Sequence, residues 1–140
     1  MTDLNRPYIE ERIEEWKSRL ETLYASVEGS LAGLNGVTCK KERQVRMYEK
    51  LMQDFRVSPQ PLPILDIYKN GTIVVYFKPI GLWVIGANGR IDILTEKGAY
   101  ILVDKATYGQ PPEWNVFYPQ NRRSGSRFDP SLIVKLVKQA

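Results

Sequence analysis

Residues 64–104 read ILDIYKNGTIVVYFKPIGLWVIGANGRIDILTEKGAYILVD, and this stretch decides the fold. Short apolar segments are cut at regular intervals by Lys69-Asn70-Gly71, Ala87-Asn88-Gly89 and Glu96-Lys97-Gly98. Asn-Gly between apolar runs signals a tight hairpin, because both central residues of a type I′ turn need positive φ. The spacing predicts an antiparallel meander with strands at 64–68, 72–78, 82–85, 90–95 and 100–103. Segment 114–118, after Gly109-Gln110-Pro111-Pro112, is expected to add a sixth strand at an edge. The 72–78 strand is apolar on both sides, so it is expected at the sheet centre. In 90–95, Ile91 and Ile93 point one way while Arg90 and Asp92 point the other, which gives that strand one polar face.

Upstream, Ile9, Ile13, Trp16, Leu20, Leu23 and Val27 recur at intervals of 3 and 4 residues. That is one apolar stripe on a helix over 7–27, capped by Asn5 or Asp3. The stripe is expected to pack on the chain's own sheet. The alternative is an interface with a second copy through Ile9, Ile13, Trp16, Leu20 and Leu23. In a parallel coiled coil, however, Arg12 and Lys17 would face each other across the seam. Gly29, Gly33 and Gly36 predict a loop over 28–36. A second helix is expected over 39–56, with Val45, Tyr48, Leu51, Met52 and Phe55 on its apolar face. The prolines at 59, 61 and 63 predict an extended connector at 58–63. A basic loop over 119–128 should precede a short helix at 129–139, started by Asp129 and Pro130.

The expectation is therefore an α+β fold in one domain spanning 1–140. It has a helical half (1–57), the connector, an antiparallel sheet of five or six strands (64–118) and a short C-terminal helix. A chain of this length buries an ample core without disulfides or metal.

The 140 residues include no histidine and one cysteine, Cys39. Histidine-dependent triads, histidine bases and histidine metal ligands are thereby removed, and a structural zinc site within one chain is close to excluded. The glycines of 28–36 do not form a phosphate loop, since no Lys-Ser or Lys-Thr pair follows them. The polar start, Met1 to Arg6, does not read as a signal peptide, and no apolar run has membrane-spanning length. A soluble cytoplasmic protein with no membrane partner is expected. The net charge of +4 is compatible with an anionic partner.

Two constellations carry chemistry. Gly89-Arg90-Ile91-Asp92-Ile93-Leu94, followed by Tyr100-Ile101-Leu102-Val103-Asp104-Lys105, resembles the metal-binding hairpin of the PD-(D/E)XK nuclease superfamily. That resemblance implies magnesium held by Asp92 and Asp104, with Lys105 assisting attack on a phosphodiester. Asp104 and Lys105 are adjacent here, without the family's intervening residue, so on a regular strand they face opposite sides. The second constellation is Arg122, Arg123 and Arg127, with Tyr108, Trp114 and Tyr118 nearby in sequence. Guanidinium groups beside aromatic rings suit phosphates and bases of nucleic acid.

The leading expectation is a small non-enzymatic binding protein, without cofactor, that contacts an anionic partner through 119–128. Alternatives are a magnesium-dependent nuclease or an inactive relative, a protein-binding or homo-oligomeric module, and a small-ligand pocket lined by Tyr76, Trp83 and Tyr100.

Overall fold

The computed structural model describes residues 4–140. Helix α1 (Arg6–Leu31) opens the chain. Asn5 caps it, its Oδ1 accepting from the Tyr8 amide at 2.9 Å; Asp3, the other candidate cap, lies outside the described residues. The predicted stripe is buried along its whole length, from Ile9 through Val27 to Leu31. The helix thus runs past its expected end, through Gly29. A glycine in a helix interior costs about 1 kcal/mol, which burial of Val27 and Leu31 on either side offsets.

Seven strands form one antiparallel sheet: β1 (Val37–Lys40), β4 (Leu65–Lys69), β5 (Thr72–Val84), β6 (Ala87–Thr95), β7 (Gly98–Asp104), β8 (Trp114–Tyr118) and β9 (Asn121–Arg127), in the order β1-β4-β5-β6-β7-β8-β9. The meander is present, and β8 does pair with β7. Two expected strands, 72–78 and 82–85, are one long β5. Its register shifts between Pro79 and Gly81, so the proline and glycine bend the strand without ending it.

The helical half needs correction. The segment 39–56 is not a helix but β1, then β2 (Gln44–Met47), then a five-residue α2 (Lys50–Asp54). Cys39 lies opposite Ile67 on a strand. Gln44-Val45-Arg46-Met47 alternates polar and apolar, and this period of two prevails over helix propensity once a partner strand is at hand. The partner is β3 (Gln60–Pro63), so the proline connector is itself a strand, with Val45 opposite Leu62. A two-stranded ribbon has only edges, where prolines are tolerated. The basic segment 119–128 is likewise not a loop: β9 pairs along β8, giving the sheet an additional strand.

Helix α3 (Ser131–Gln139) closes the chain. Asp129 Oδ1 accepts from the Ser131 amide at 2.8 Å. The Lys69 ammonium donates to the carbonyls of Val137, Lys138 and Ala140 at the helix's C-terminal end, where the macrodipole favours a cation.

Helices α1 and α3 pack on the same face of the sheet. Leu65, Ile67, Val75, Phe77, Ile91, Ile93, Leu102 and Val116 point into that layer, together with Tyr24, Trp16, Ile133 and Val137. Phe77 is met edge-on by Tyr24 and by Phe128.

Candidate anion-binding surface

The helix-covered side of the sheet carries a polar network at one end. Asp104 is fully buried and Arg19 is 6% exposed. The Arg19 guanidinium donates to Asp104 Oδ2 at 2.5 Å and to the Gln110 carbonyl, and lies 3.1 Å from Glu15. Asp104 Oδ1 accepts from the Ala106 and Glu113 amides, both at 2.9 Å. One carboxylate therefore organises the β7–β8 connection and pins it to α1. Burial pushes the Glu15 carboxyl up, but the Gly109 amide, Asn88 and Arg19 outweigh it and hold the group below its ordinary value.

This geometry separates the residues of the expected metal hairpin. Asp92 lies opposite Ile101, and Tyr100, Leu102 and Asp104 point to the other side. Asp92 and Asp104 are thus on opposite faces of the sheet, as strand alternation requires. Asp92 is held by Arg90, at 2.9 Å, and Asp104 by Arg19. No bulge intervenes before Lys105, whose ammonium lies over the Phe117 ring on Asp92's side. The nuclease-like reading is therefore withdrawn. Among the described residues, no group of three or more cysteine, aspartate or glutamate side chains is placed to hold a metal ion.

The small-ligand reading fails on the same ground. Tyr100 points under the helices beside Tyr118, whereas Tyr76 lies opposite Asp66 and Leu94 on the other face. Trp83 sits beyond the β5 bend, near Arg12. Ile9, Ile13, Trp16, Leu20 and Leu23, the alternative homo-oligomer seam, are all buried against their own sheet. A second copy cannot reach them in the folded chain.

The arginines of β9 are placed differently. Arg122, Arg123 and Arg127 are all exposed on the outermost strand, and none forms an ion pair among the described residues. The three aromatics do not join them. Trp114 packs against Trp16 at 6.3 Å, Tyr118 meets Tyr100 on the covered side, and the Tyr108 hydroxyl donates to Glu11 on α1.

The face away from the helices instead gathers residues that sequence reasoning places in separate roles, among them Tyr76, Asp92, Lys105 and Arg127, with Lys40, Tyr68, Lys78 and Phe117, which it does not single out. Three cross-strand rows cross it. The first runs Lys40, Asp66, Tyr76, Leu94, Ala99. The second runs Lys78, Asp92, Ile101, Phe117, and the third Arg90, Val103, Asn115, Arg127. Cations rest on its rings. Lys40 lies 5.1 Å from the Tyr68 centroid, Arg43 4.8 Å from Tyr76, and Lys105 5.8 Å from Phe117. Arg43 is fixed there by a bidentate pair with Asp66, at 2.8 and 2.6 Å, while half of its side chain remains exposed. Phe117 lies across Gly125, where a β-carbon would come within 2.8 Å of the ring. The signal was available in the alternation of 72–78 and 98–104, but finding it required knowing that the helices take only one face.

Cys39 is half-buried, and burial together with the nearby Glu28 pushes its thiol up, which keeps it protonated and unreactive. No described helix is long and apolar enough to cross a membrane. No family model matches the chain, and no curated protein or solved structure resembles it closely enough to count as a match.

Proposed function

We propose that this chain is a binding protein that takes an anionic partner on the basic surface centred on β9. The observation that carries it is the set of exposed guanidinium groups of Arg122, Arg123 and Arg127 on one outer strand, none in an ion pair among the described residues. Arg122 also donates to the Phe117 carbonyl at 3.5 Å, but none of the three is tied into an ion pair among the described residues, so their donor forks remain suited to phosphate or carboxylate. The adjacent open face extends the basic field. Lys40, Lys78, Lys105 and Arg127 belong to it, while Asp92 is neutralised by Arg90 and Asp66 by Arg43. A reducing compartment such as the cytoplasm suits the single protonated thiol.

The test is fluorescence anisotropy with single- and double-stranded nucleic acid and with heparin, between about 50 and 200 mM salt. Wild type should bind at low salt and weaken as salt rises. Arg122→Ala/Arg123→Ala/Arg127→Ala should lower the slope of log K against log salt by about 2 to 3, with an unchanged circular dichroism spectrum. Equal binding by the folded triple variant, or no polyanion binding by wild type at low salt, refutes the reading.

A further inference from the structure

We infer that the uncovered sheet face is a stacking platform for single-stranded nucleic acid, whose backbone enters along β9. This rests on the anionic-partner reading and names the partner. Three observations carry it.

The first is the pairing of rings with cations across the face. Tyr68, Tyr76 and Phe117 lie on β4, β5 and β8, and each has a cation within 6 Å of its centroid. Single strands are held by a basic groove that tracks phosphates and by aromatic or guanidinium planes on which bases stack. Lys40 and Lys105 are exposed and free to swing from ring to phosphate. Arg43 is not: clamped by Asp66 and laid on Tyr76, it offers its outer plane as a rigid stacking surface.

The second is what lies between the rings. Leu94, Ile101 and Val103 are half-buried and flat along the strands. Duplex DNA shields its base faces and would leave this apolar ground dry but unused, whereas an unpaired strand can lay bases against it. Six strand spacings of about 4.8 Å carry the face across about 29 Å, room for several nucleotides of the roughly 4–16 that one such platform holds.

The third is charge. On this face Lys40, Arg43, Lys78, Arg90, Lys105 and Arg127 stand against Asp66, Asp92 and Glu113, and Arg43 and Arg90 already neutralise the two aspartates. A second copy docked face to face would juxtapose two cationic surfaces, which opposes self-association and favours a polyanion.

The experiment uses the full chain and a fluorescein-labelled oligo-dT, a duplex of equal length, and heparin. The variant is Tyr68→Leu/Phe117→Leu, which keeps apolar cover on the sheet and removes the two ring planes whose lysines are free to swing away. Wild type should prefer the single strand. The variant should bind oligo-dT about tenfold or more weakly per ring removed. Its salt slope and its affinities for duplex and heparin should be unchanged. Unchanged oligo-dT affinity in the folded variant, with the β9 arginine variant still impaired, overturns the platform and leaves the anionic-partner reading standing. A wild type that binds no polyanion overturns both. Sedimentation showing a wild-type dimer that the variant breaks, without loss of oligo-dT binding, assigns the face to self-association and overturns the platform.

Discussion

Removing the Asp104 carboxylate should be the most damaging single change outside the apolar core. Asp104→Ala leaves the Arg19 guanidinium buried, without its 2.5 Å partner, and orphans the Ala106 and Glu113 amides. Breaking one side of a buried ion pair costs about 3–5 kcal/mol, because the surviving charge has no solvent to return to. With unfolding entropy of about 2.1 cal/mol/K per residue, the chain changes stability by about 0.3 kcal/mol per degree. The melting temperature should therefore fall by about 10–17 °C. Urea unfolding followed by tryptophan fluorescence gives the free energy directly, and Trp16 beside Trp114 reports on this end of the fold. Arg19→Met/Asp104→Leu should be less destabilised than the sum of its single variants, since neither member of the buried pair is left charged and alone, and Glu15, 20% exposed, keeps its bonds from Asn88 and the Gly109 amide. The exposed pair provides the control: Asp92→Ala, which frees a 37% exposed Arg90, should cost less than about 1 kcal/mol. If Asp104→Ala costs less than about 1 kcal/mol, the burial argument is wrong and water reaches the guanidinium.

Acid should act through Glu15. Its folded pKa lies below the ordinary 4.5, so the stability it contributes is present above that value and is lost as pH falls through the lower folded value. Glu15→Gln should flatten the acid limb of a stability–pH curve below about pH 4.5, and an unaltered limb would refute the assignment. Alkali should act through Tyr24, whose buried hydroxyl donates to the Pro63 carbonyl at 2.8 Å and is pushed well up by burial and by Asp66. That contribution is complete below about pH 10 and is lost as pH rises beyond it; Tyr24→Phe should unfold with a shallower alkaline limb. Gly89→Ala should cost about 2–4 kcal/mol, because φ is +110° and a β-carbon would lie 2.2 Å from the Trp16 ring. Near-wild-type melting would mean that Trp16 moves aside freely.

The meander was legible because much of its turn chemistry is local: Asn70 and Gly71 adopt the positive φ that the sequence advertises, and Gly98 does so directly after the Glu96-Lys97 turn. The Ala87-Asn88-Gly89 turn is corrected: these residues lie inside β6, and that hairpin turns at Ile85-Gly86, where Gly86 takes the positive φ. The α1 stripe was legible for the same reason, being one period repeated over six positions. What failed depended on distant partners. Val37 to Lys40 becomes a strand because β4 lies beside it, and 60–63 because β2 does. Arg122 to Arg127 carries no apolar alternation at all, and only the free edge of β8 makes it a strand. The same limit governs the candidate surface. Arg122, Arg123 and Arg127 could be singled out from charge alone. Tyr68 and Phe117 could not, and Tyr76 was grouped with Tyr100 of the opposite face, since their placement depends on which sheet face the helices leave bare. Asp92 and Asp104 looked like a pair in sequence, and strand alternation separates them.

From β4 onward, every strand of the large sheet after the first pairs with the strand made just before it. The sheet can therefore grow by successive hairpins, each closing a short loop at small entropic cost. Helix α1 is in the opposite position. Synthesised before the sheet, it holds an apolar stripe and the Arg19 side chain whose partner, Asp104, is 85 residues away. Until β4 to β6 emerge, that helix has no sheet to cover, and until β7 emerges its arginine lacks the buried carboxylate of Asp104. The apolar stripe of α1 is thus made before the strands that bury it. Aggregation during synthesis should accordingly track the exposure of α1 and be relieved by chaperones that hold amphipathic helices.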